Sequence, residues 1–172
     1  MRMLVVDDDD QIREGITHGI KWNELGIDGV EGCKNGAEAL ARIREIYFDI
    51  LITDISMPEM SGVDLMRCAK EVFPDIHVIL ISGYKEFEYA EAGIRYGADD
   101  YILKPIHINE LMDTVTKVMG KIDNRKENLK NRTMAKELLR NQIMNKIMQD
   151  KIEDPLEIQE YLLSNSGFKR IH

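Results

Sequence analysis

The sequence predicts an α/β protein built on a five-stranded parallel sheet with helices on both faces. Three observations predict this fold class. Five short apolar runs alternate with amphipathic stretches of helical length, and each run is rich in Val, Ile and Leu. The runs at 50–53 and 78–81 are apolar nearly throughout, as in strands that are buried on both faces. Strict alternation of strand and helix implies parallel strands in a doubly wound sheet.

The five predicted strands and five predicted helices follow one another along residues 1–122. The strands are predicted at 3–6, 29–33, 49–53, 77–81 and 100–104. The helices are predicted at about 10–20, 36–46, 61–72, 86–97 and 108–122. Asn35, Ser61 and Asn109 are suited to helix starts, because short polar side chains accept hydrogen bonds from free amides there.

Residues 123–172 differ in composition from the first part of the chain. We predict a domain over 1–122, a helical linker over 123–150 that could form a coiled coil, and the start of a further region over 151–172. An apolar heptad stripe is formed by Leu111, Val115, Val118, Ile122 and Leu129, and later by Leu139 and Ile143. The same stripe carries Arg125, Arg132 and Lys136. The pattern therefore leaves open a solvated single helix and pairing with a second copy.

Charge and hydropathy exclude several function classes. The chain has 172 residues and a net charge of −8, which argues against non-specific binding of nucleic acid or an anionic membrane by these residues. No apolar run approaches the roughly 20 residues of a membrane span. The start, MRMLVVDDDD, lacks the pattern of a signal peptide. Cys33 and Cys68 are predicted to be free core thiols in a reducing compartment, so we expect a cytoplasmic protein.

Polar side chains follow four of the five predicted strands at their carboxyl ends. They are Asp7, Asp8 and Asp9 after the first strand, Asp54 after the third, Ser82 after the fourth and Lys104 after the fifth. In a doubly wound sheet these ends form the edge where ligands bind. Clustered carboxylates repel one another unless a cation neutralises them, and an all-oxygen ligand set suits Mg²⁺.

These side chains predict a magnesium site beside a phosphate acceptor. Asp8 is the candidate direct ligand, and Asp7 the candidate ligand through water. Asp54 is a carboxylate that could attack a phosphoryl group, and Lys104 is a cation suited to pairing with phosphate. Asp9 and Asp10 are predicted to begin the first helix, where the helix dipole favours negative charge.

Four motifs in order carry a resemblance to a known family. VVDDD, DILITDISMPEMSGVDL, VILISGY and GADDYILKPI together resemble the receiver domain of two-component response regulators, over residues 1 to about 122. The resemblance implies a flavodoxin-like fold, phosphorylation by a sensor histidine kinase, and self-catalysed phosphotransfer and dephosphorylation instead of an enzyme with a separate substrate.

The resemblance also assigns roles to individual residues. It implies that Asp54 is phosphorylated and that Mg²⁺ is held by Asp8, Asp54 and the backbone carbonyl of Ser56, and by Asp7 through water. It implies that Ser82 is the switch hydroxyl, Tyr101 the switch aromatic residue and Lys104 the phosphate-pairing lysine. A cis peptide bond would precede Pro105.

Two further stretches narrow the resemblance. IREGITHGIKWNELGI and SGYKEFEYAEAGIRYGADDYILKPI resemble receivers of regulators with a C-terminal AraC-type helix-turn-helix output domain. Residues 123–172 contain no recognition-helix pair, so the chain is expected to be a fragment that controls transcription through a DNA-binding domain missing from it. A homodimer could form through the C-terminal helix, or through the face of the fourth helix, fifth strand and fifth helix.

Two other function classes compete with a phosphorylated switch. A phosphatase of the haloacid-dehalogenase type would use residue types that the chain also supplies in Asp7, Asp9, Ser82, Lys104 and the pair Asp99–Asp100. Its lysine should precede the acidic pair, which is otherwise interpreted as a solvated turn. A receiver-like interaction module that is never phosphorylated usually lacks an acidic residue, the acceptor or the lysine, all of which are present here.

Overall fold

Five parallel strands form one sheet in a computed structural model of the chain, which describes residues 1–83 and 97–149. The strands are β1 (Arg2–Val6), β2 (Gly29–Cys33), β3 (Ile50–Asp54), β4 (His77–Ser82) and β5 (Asp100–Leu103). Their order across the sheet is β2-β1-β3-β4-β5, and every neighbouring pair is parallel. The predicted doubly wound parallel sheet is therefore confirmed.

Helices cover the sheet on both faces. The α-helices of the described residues are α1 (Asp10–His18), α2 (Gly36–Glu45), α3 (Gly62–Val72) and α4 (Ile108–Gln149), and a 3₁₀ helix spans Trp22–Leu25. The helix predicted at 86–97 falls on residues 84–96, outside the described residues, apart from Gly97. The helix predicted at 108–122 and the helical extension predicted after it form one helix, α4, which ends at Gln149.

Side chains at the helix starts explain where three helices begin. Asp9 accepts hydrogen bonds from the amides of Gln11 and Ile12, and Asn35 and Ser61 cap α2 and α3 in the same way. Each side chain satisfies an amide that has no partner within its own helix. Asn109 does not act as a cap, because it lies within the first turn of α4.

The core consists of two apolar layers, one on each face of the sheet. The first layer packs α2 and α3 against the sheet through Leu40, Ile43, Leu65 and Met66. The second layer packs α1 and the first part of α4 against the other face, with Trp22 beside them. This packing fixes the strands, so that their carboxyl ends hold side chains at one edge.

The first part of the apolar stripe of α4 belongs to the second layer. Leu111, Val115, Val118 and Ile122 are all buried there. The chain divides into two compact units, Met1–Ile122 and Asp123–His172. Only Leu129, Leu139 and Ile143 of the stripe lie beyond the first unit, and Leu129 and Leu139 are exposed. No helix of the described residues is long and apolar enough to cross a membrane.

An ionic cluster lies at the amino ends of β4 and β5. The carboxyl ends of the strands, where the predicted site residues lie, form the opposite edge of the sheet, called the polar edge below. Asp99 lies 3.0 Å from Nδ1 of His77 and accepts hydrogen bonds from the Val78 amide at 3.0 Å and the Lys121 ammonium at 3.3 Å. The interpretation of Asp99 as a solvated residue was wrong, because its side chain is only 14% exposed. Burial raises the pKa of Asp99, but the hydrogen bonds from His77 and Val78 and the nearby charges outweigh it and lower the pKa.

Substitution of Asp99 is expected to weaken the fold in a pH-dependent way. Asp99→Asn should lower the free energy of unfolding at neutral pH by about 2 kcal/mol, because a charge-assisted network is lost. Because the pKa of Asp99 is lower in the folded than in the unfolded chain, its ionised carboxylate stabilises the fold at pH values above the unfolded pKa of about 3.9. This contribution disappears as the pH falls through the pKa of the folded state. Urea unfolding at pH 7 and below pH 4 tests this. Asp100→Asn is the control, since Asp100 pairs with the exposed Lys117, and an equal loss there would contradict the prediction.

Candidate functional site

The last residue of β3 places a carboxylate at the polar edge of the sheet. Asp54 is only 4% exposed and pairs in register with Ile81 of β4. Just beyond it, the Ile55 amide donates to the Ile81 carbonyl at 2.9 Å, and the Gly62 amide donates to the Ile55 carbonyl at 3.0 Å. The backbone around Asp54 is therefore fixed by the neighbouring strand and by the start of α3.

Two carboxylates from the end of β1 meet Asp54. Oxygen atoms of Asp7, Asp8 and Asp54 all lie within 4.8 Å of one another. Asp7 is fully buried, and its Oδ1 accepts a hydrogen bond from the Asp9 amide at 2.8 Å. Its backbone carbonyl accepts a hydrogen bond from the Arg13 guanidinium at 2.9 Å. Asp8 is exposed, so the cluster opens to solvent on its side.

A lysine from the end of β5 joins two of the carboxylates. The ammonium of Lys104 lies 3.1 Å from Asp54 Oδ1 and 3.3 Å from Asp7 Oδ2. Burial lowers the pKa of Lys104, but the hydrogen bond and charge of Asp54, followed by those of Asp7, outweigh it and raise the pKa. The two carboxylates therefore favour the charged form of Lys104. The peptide bond between Lys104 and Pro105 is cis, as the resemblance to receiver domains implied.

The remaining predicted site residues lie on β4, on β5 and just after the end of β3. Ser82 ends β4 and is fully buried; its hydroxyl donates to the Gly83 carbonyl at 3.0 Å, and its carbonyl accepts from the Lys104 amide at 2.8 Å. Tyr101 of β5 is partly buried against the first core layer. Ser56 follows Asp54 by two residues and is exposed. The assignment of roles to these three residues stays a prediction.

The cluster has the donor chemistry of a hard-cation site. Asp7, Asp8 and Asp54 supply only carboxylate oxygens, which are the ligands that Mg²⁺ prefers. Among the described residues, Lys104 forms ion pairs with two of the three carboxylates, so the negative charge of the carboxylates exceeds its single positive charge, and a divalent cation would neutralise the excess. Oδ2 of Asp7 is buried and accepts no hydrogen bond from the described residues, although Lys104 lies at ion-pair distance from it. The residues present therefore fit Mg²⁺.

The residue set of a haloacid-dehalogenase phosphatase is not brought together. Asp99 and Asp100 lie at the amino end of β5, where Asp99 contacts the start of β4. Asp7 lies at the carboxyl end of the parallel strand β1. Because the two ends of a parallel sheet lie on opposite edges, the acidic pair is separated from Asp7 by the length of the strands.

Two residues that support the site were not predicted from the sequence. Gly62 lies so close to Asp54 that a Cβ atom there would overlap the Asp54 carbonyl oxygen. Arg13 holds the Asp7 carbonyl from the second turn of α1. Ser61 before Gly62 indicates only a helix start, and nothing in the sequence indicates that Gly62 packs closely against the preceding strand. Arg13 shows no periodic signal either, because it lies among the polar residues of α1.

Comparison with protein-family models matches residues 3–116 to the response regulator receiver domain. The chain belongs to this family. The transcriptional regulatory protein HptR of Staphylococcus aureus is 38% identical over 105 residues, which cover 61% of this chain and 41% of that protein. The uncharacterized transcriptional regulatory protein YesN of Bacillus subtilis is 32% identical over 121 residues, which cover 70% of this chain and 33% of that protein.

Solved receiver structures share the fold. The receiver domain of AraT, a response regulator from Geobacillus stearothermophilus, is 42% identical with a TM-score of 0.69, and the match covers 73% of this chain and 97% of that one. A two-component transcriptional regulator AraC from Clostridium phytofermentans is 32% identical with a TM-score of 0.69, covering 73% and 98%. These comparisons confirm the predicted resemblance to receiver domains, and AraC-type regulators are among the similar structures. The chain spans less than half the length of the two curated relatives.

Proposed function

We propose that this receiver domain is a phosphorylation-dependent switch in which Asp54 accepts a phosphoryl group from a sensor histidine kinase. The observation that supports this most strongly is the pairing of a buried strand-end carboxylate with a lysine, at 3.1 Å, inside an acidic cluster. A carboxylate oxygen of Asp54 attacks phosphorus while the bond from phosphorus to the kinase histidine nitrogen breaks. The product is an acyl phosphate on Asp54 and a free histidine on the kinase.

Each neighbour of Asp54 has a proposed task in this transfer. Mg²⁺ would be held by Asp8, Asp54 and the Ser56 carbonyl, and by Asp7 through water; when bound it neutralises charge on the phosphoryl oxygens. The ammonium of Lys104 leaves its contact with Asp54 to pair with the incoming phosphate. The Ser82 hydroxyl turns to donate to a phosphoryl oxygen, and Tyr101 moves into the space that this rearrangement vacates.

The switch acts on partners beyond the site. The change at Ser82 and Tyr101 alters the face that includes β5 and the start of α4. The fourth predicted helix, which the sequence assigns to the same face, falls outside the described residues. The change biases pairing with a second copy of the chain, through that face or through α4. A DNA-binding output domain elsewhere in the protein would convert the change into transcription control, as the names of the relatives suggest. We place the protein in the cytoplasm, where such a kinase donates phosphate.

Intact mass after incubation with acetyl phosphate and MgCl₂ tests the proposed function. The wild-type protein should gain the mass of one phosphoryl group, and Asp54→Ala should gain none. Asp113→Ala is the matched control, because Asp113 is an exposed aspartate of α4 that does not belong to the acidic cluster. Equal phosphorylation of Asp54→Ala and Asp113→Ala would overturn the proposal.

Magnesium is expected to stabilise the folded protein. A ligand that binds only the folded state adds about 2.7 kcal/mol to the free energy of unfolding at 100 times its dissociation constant. Thermal unfolding in MgCl₂ should therefore shift upward relative to NaCl of equal ionic strength. Asp8→Asn should remove most of this shift and still fold, since Asp8 is exposed, whereas Asp113→Asn should keep it. An unchanged shift in Asp8→Asn would argue against the assigned ligands.

A further inference from the structure

The part of α4 that lies beyond the first compact unit has two different lengthwise seams. The cationic seam, defined by Leu129, Arg132, Lys136, Leu139 and Ile143, continues the stripe that the sequence showed. The uncharged seam is defined by Asn131, Met134, Leu138, Asn141, Asn145 and Met148. Both follow the alternating three- and four-residue spacing of helix pairs, and they lie on opposite sides of the helix.

The cationic seam is poorly suited to pairing with a second copy. Its apolar continuation from Leu111 to Ile122 is buried in the receiver core and is unavailable to another helix. In what remains, Arg132 and Lys136 would each meet the same cation of a second copy across a parallel pair. Like charges held opposite each other destabilise such a contact.

The uncharged seam is self-complementary. Every one of its residues is exposed, with Met134 at 54%, Leu138 at 64% and Met148 at 66%. A parallel pair in register brings each residue opposite its own copy, so that Met and Leu meet Met and Leu. Each asparagine meets an asparagine, whose amide both donates and accepts hydrogen bonds. An antiparallel pair would instead place Asn131 near Met148 and leave amides without partners.

The limits of the uncharged seam follow from its neighbours. One step before Asn131 on the same spacing is Glu127, which would face its own charge in a second copy. The seam from 131 to 148 is about 27 Å long. Half of its positions are asparagine, so it would specify register at the expense of affinity. Such a contact forms when something else raises the local concentration of the two helices.

We propose that two copies of the chain pair in parallel through the uncharged seam from Asn131 to Met148. This inference rests on the proposed function, because the receiver switch would bring the two copies together. The cationic seam then faces away from the second helix.

Disulfide crosslinking of the full 172-residue chain tests the seam. Cys68→Ser removes the partly exposed thiol, and Cys33 is buried, with a pKa raised to about 11 by its burial and by neighbouring glutamates, so it stays unreactive. In this background, Met134→Cys should crosslink between copies at least about fivefold faster than Lys136→Cys, because only position 134 faces its own copy. A faster reaction at position 136, or equal rates at both, would overturn the proposal.

Sedimentation of two adjacent leucine variants gives a second test that needs no thiol chemistry. Leu138→Lys should abolish the dimer, and Leu139→Lys should leave it unchanged, although both leucines are exposed on the same helix. A dimer of Leu138→Lys with a monomer of Leu139→Lys, or two monomeric variants, would overturn the proposed pairing. Both experiments are run with and without acetyl phosphate and MgCl₂. If pairing does not respond to acetyl phosphate but still depends on positions 134 and 138 rather than 136 and 139, the switch alone is refuted. If the protein is phosphorylated but pairing does not depend on these positions, the seam alone is refuted.

Discussion

Gly62→Ala is expected to lower the free energy of unfolding by about 3 kcal/mol, because a methyl group would be forced into occupied space. The added Cβ would overlap the Asp54 carbonyl oxygen and lie 2.9 Å from the Asp54 carbonyl carbon and 3.0 Å from Thr53 Oγ1. Backbone atoms of a central strand cannot move aside as a flexible side chain can. For a chain of this size the melting temperature should fall by about 10 °C.

The same substitution should also impair the site, because relief of the overlap moves Asp54 relative to Lys104. Phosphorylation by acetyl phosphate should therefore slow down even at temperatures where the variant is folded. Gly120→Ala is the control: nothing lies within 4 Å of its added Cβ in α4, and it should stabilise the helix by up to about 1 kcal/mol. If Gly62→Ala were as stable as Gly120→Ala, the close packing of α3 on the end of β3 would be refuted.

Lys104→Ala is expected to slow phosphorylation of Asp54 by about 100-fold, since a positioned cation that stabilises transition-state charge is lost. The ammonium also lies at ion-pair distance from Asp7 and Asp54, so its removal increases the negative charge of the cluster. Mg²⁺ should then bind more tightly, and thermal unfolding should respond at lower MgCl₂ concentrations than in the wild-type protein. Mass spectrometry over time gives the rate, and the MgCl₂ titration gives the affinity.

Lys117→Ala separates a local role of Lys104 from a general loss of positive charge. Lys117 forms an exposed ion pair with Asp100 at 2.7 Å, at the other end of β5. Its removal should change neither the rate of phosphorylation nor the response to MgCl₂, because exposed pairs contribute little. A Lys104→Ala variant that accepts phosphate at the wild-type rate would contradict the proposed pairing.

Much of the fold could be predicted because its strands and helices carry strong periodic signals. The apolar runs at 50–53 and 78–81 became β3 and β4, and alternation with amphipathic helices gave the parallel order. The long C-terminal helix could be predicted as well, because no glycine or proline interrupts the chain between Asp123 and Pro155. The heptad stripe there was ambiguous, since its first four residues serve the receiver core and not a second helix.

The polar edge could be predicted because parallel strands bring their carboxyl ends together. Asp7, Asp8 and Asp54 do converge, and Lys104 lies at ion-pair distance from Asp7 and Asp54. The supporting contacts could not be predicted, because they depend on three-dimensional approach. Gly62 is recognised only from its closeness to Asp54, and Asp99 only from its bonds to His77, Val78 and Lys121. An aspartate in a short turn has the same sequence signature whether it is solvated or paired.

Chemical mapping of the phosphorylated residue tests the central claim most directly. The protein is phosphorylated with acetyl phosphate and MgCl₂ and reduced with borohydride, which converts an aspartyl phosphate to homoserine. The peptides are then sequenced by mass spectrometry. The account predicts conversion at position 54 alone. Conversion at Asp7, at Asp8 or at any other position, or no conversion of any aspartate, would contradict it.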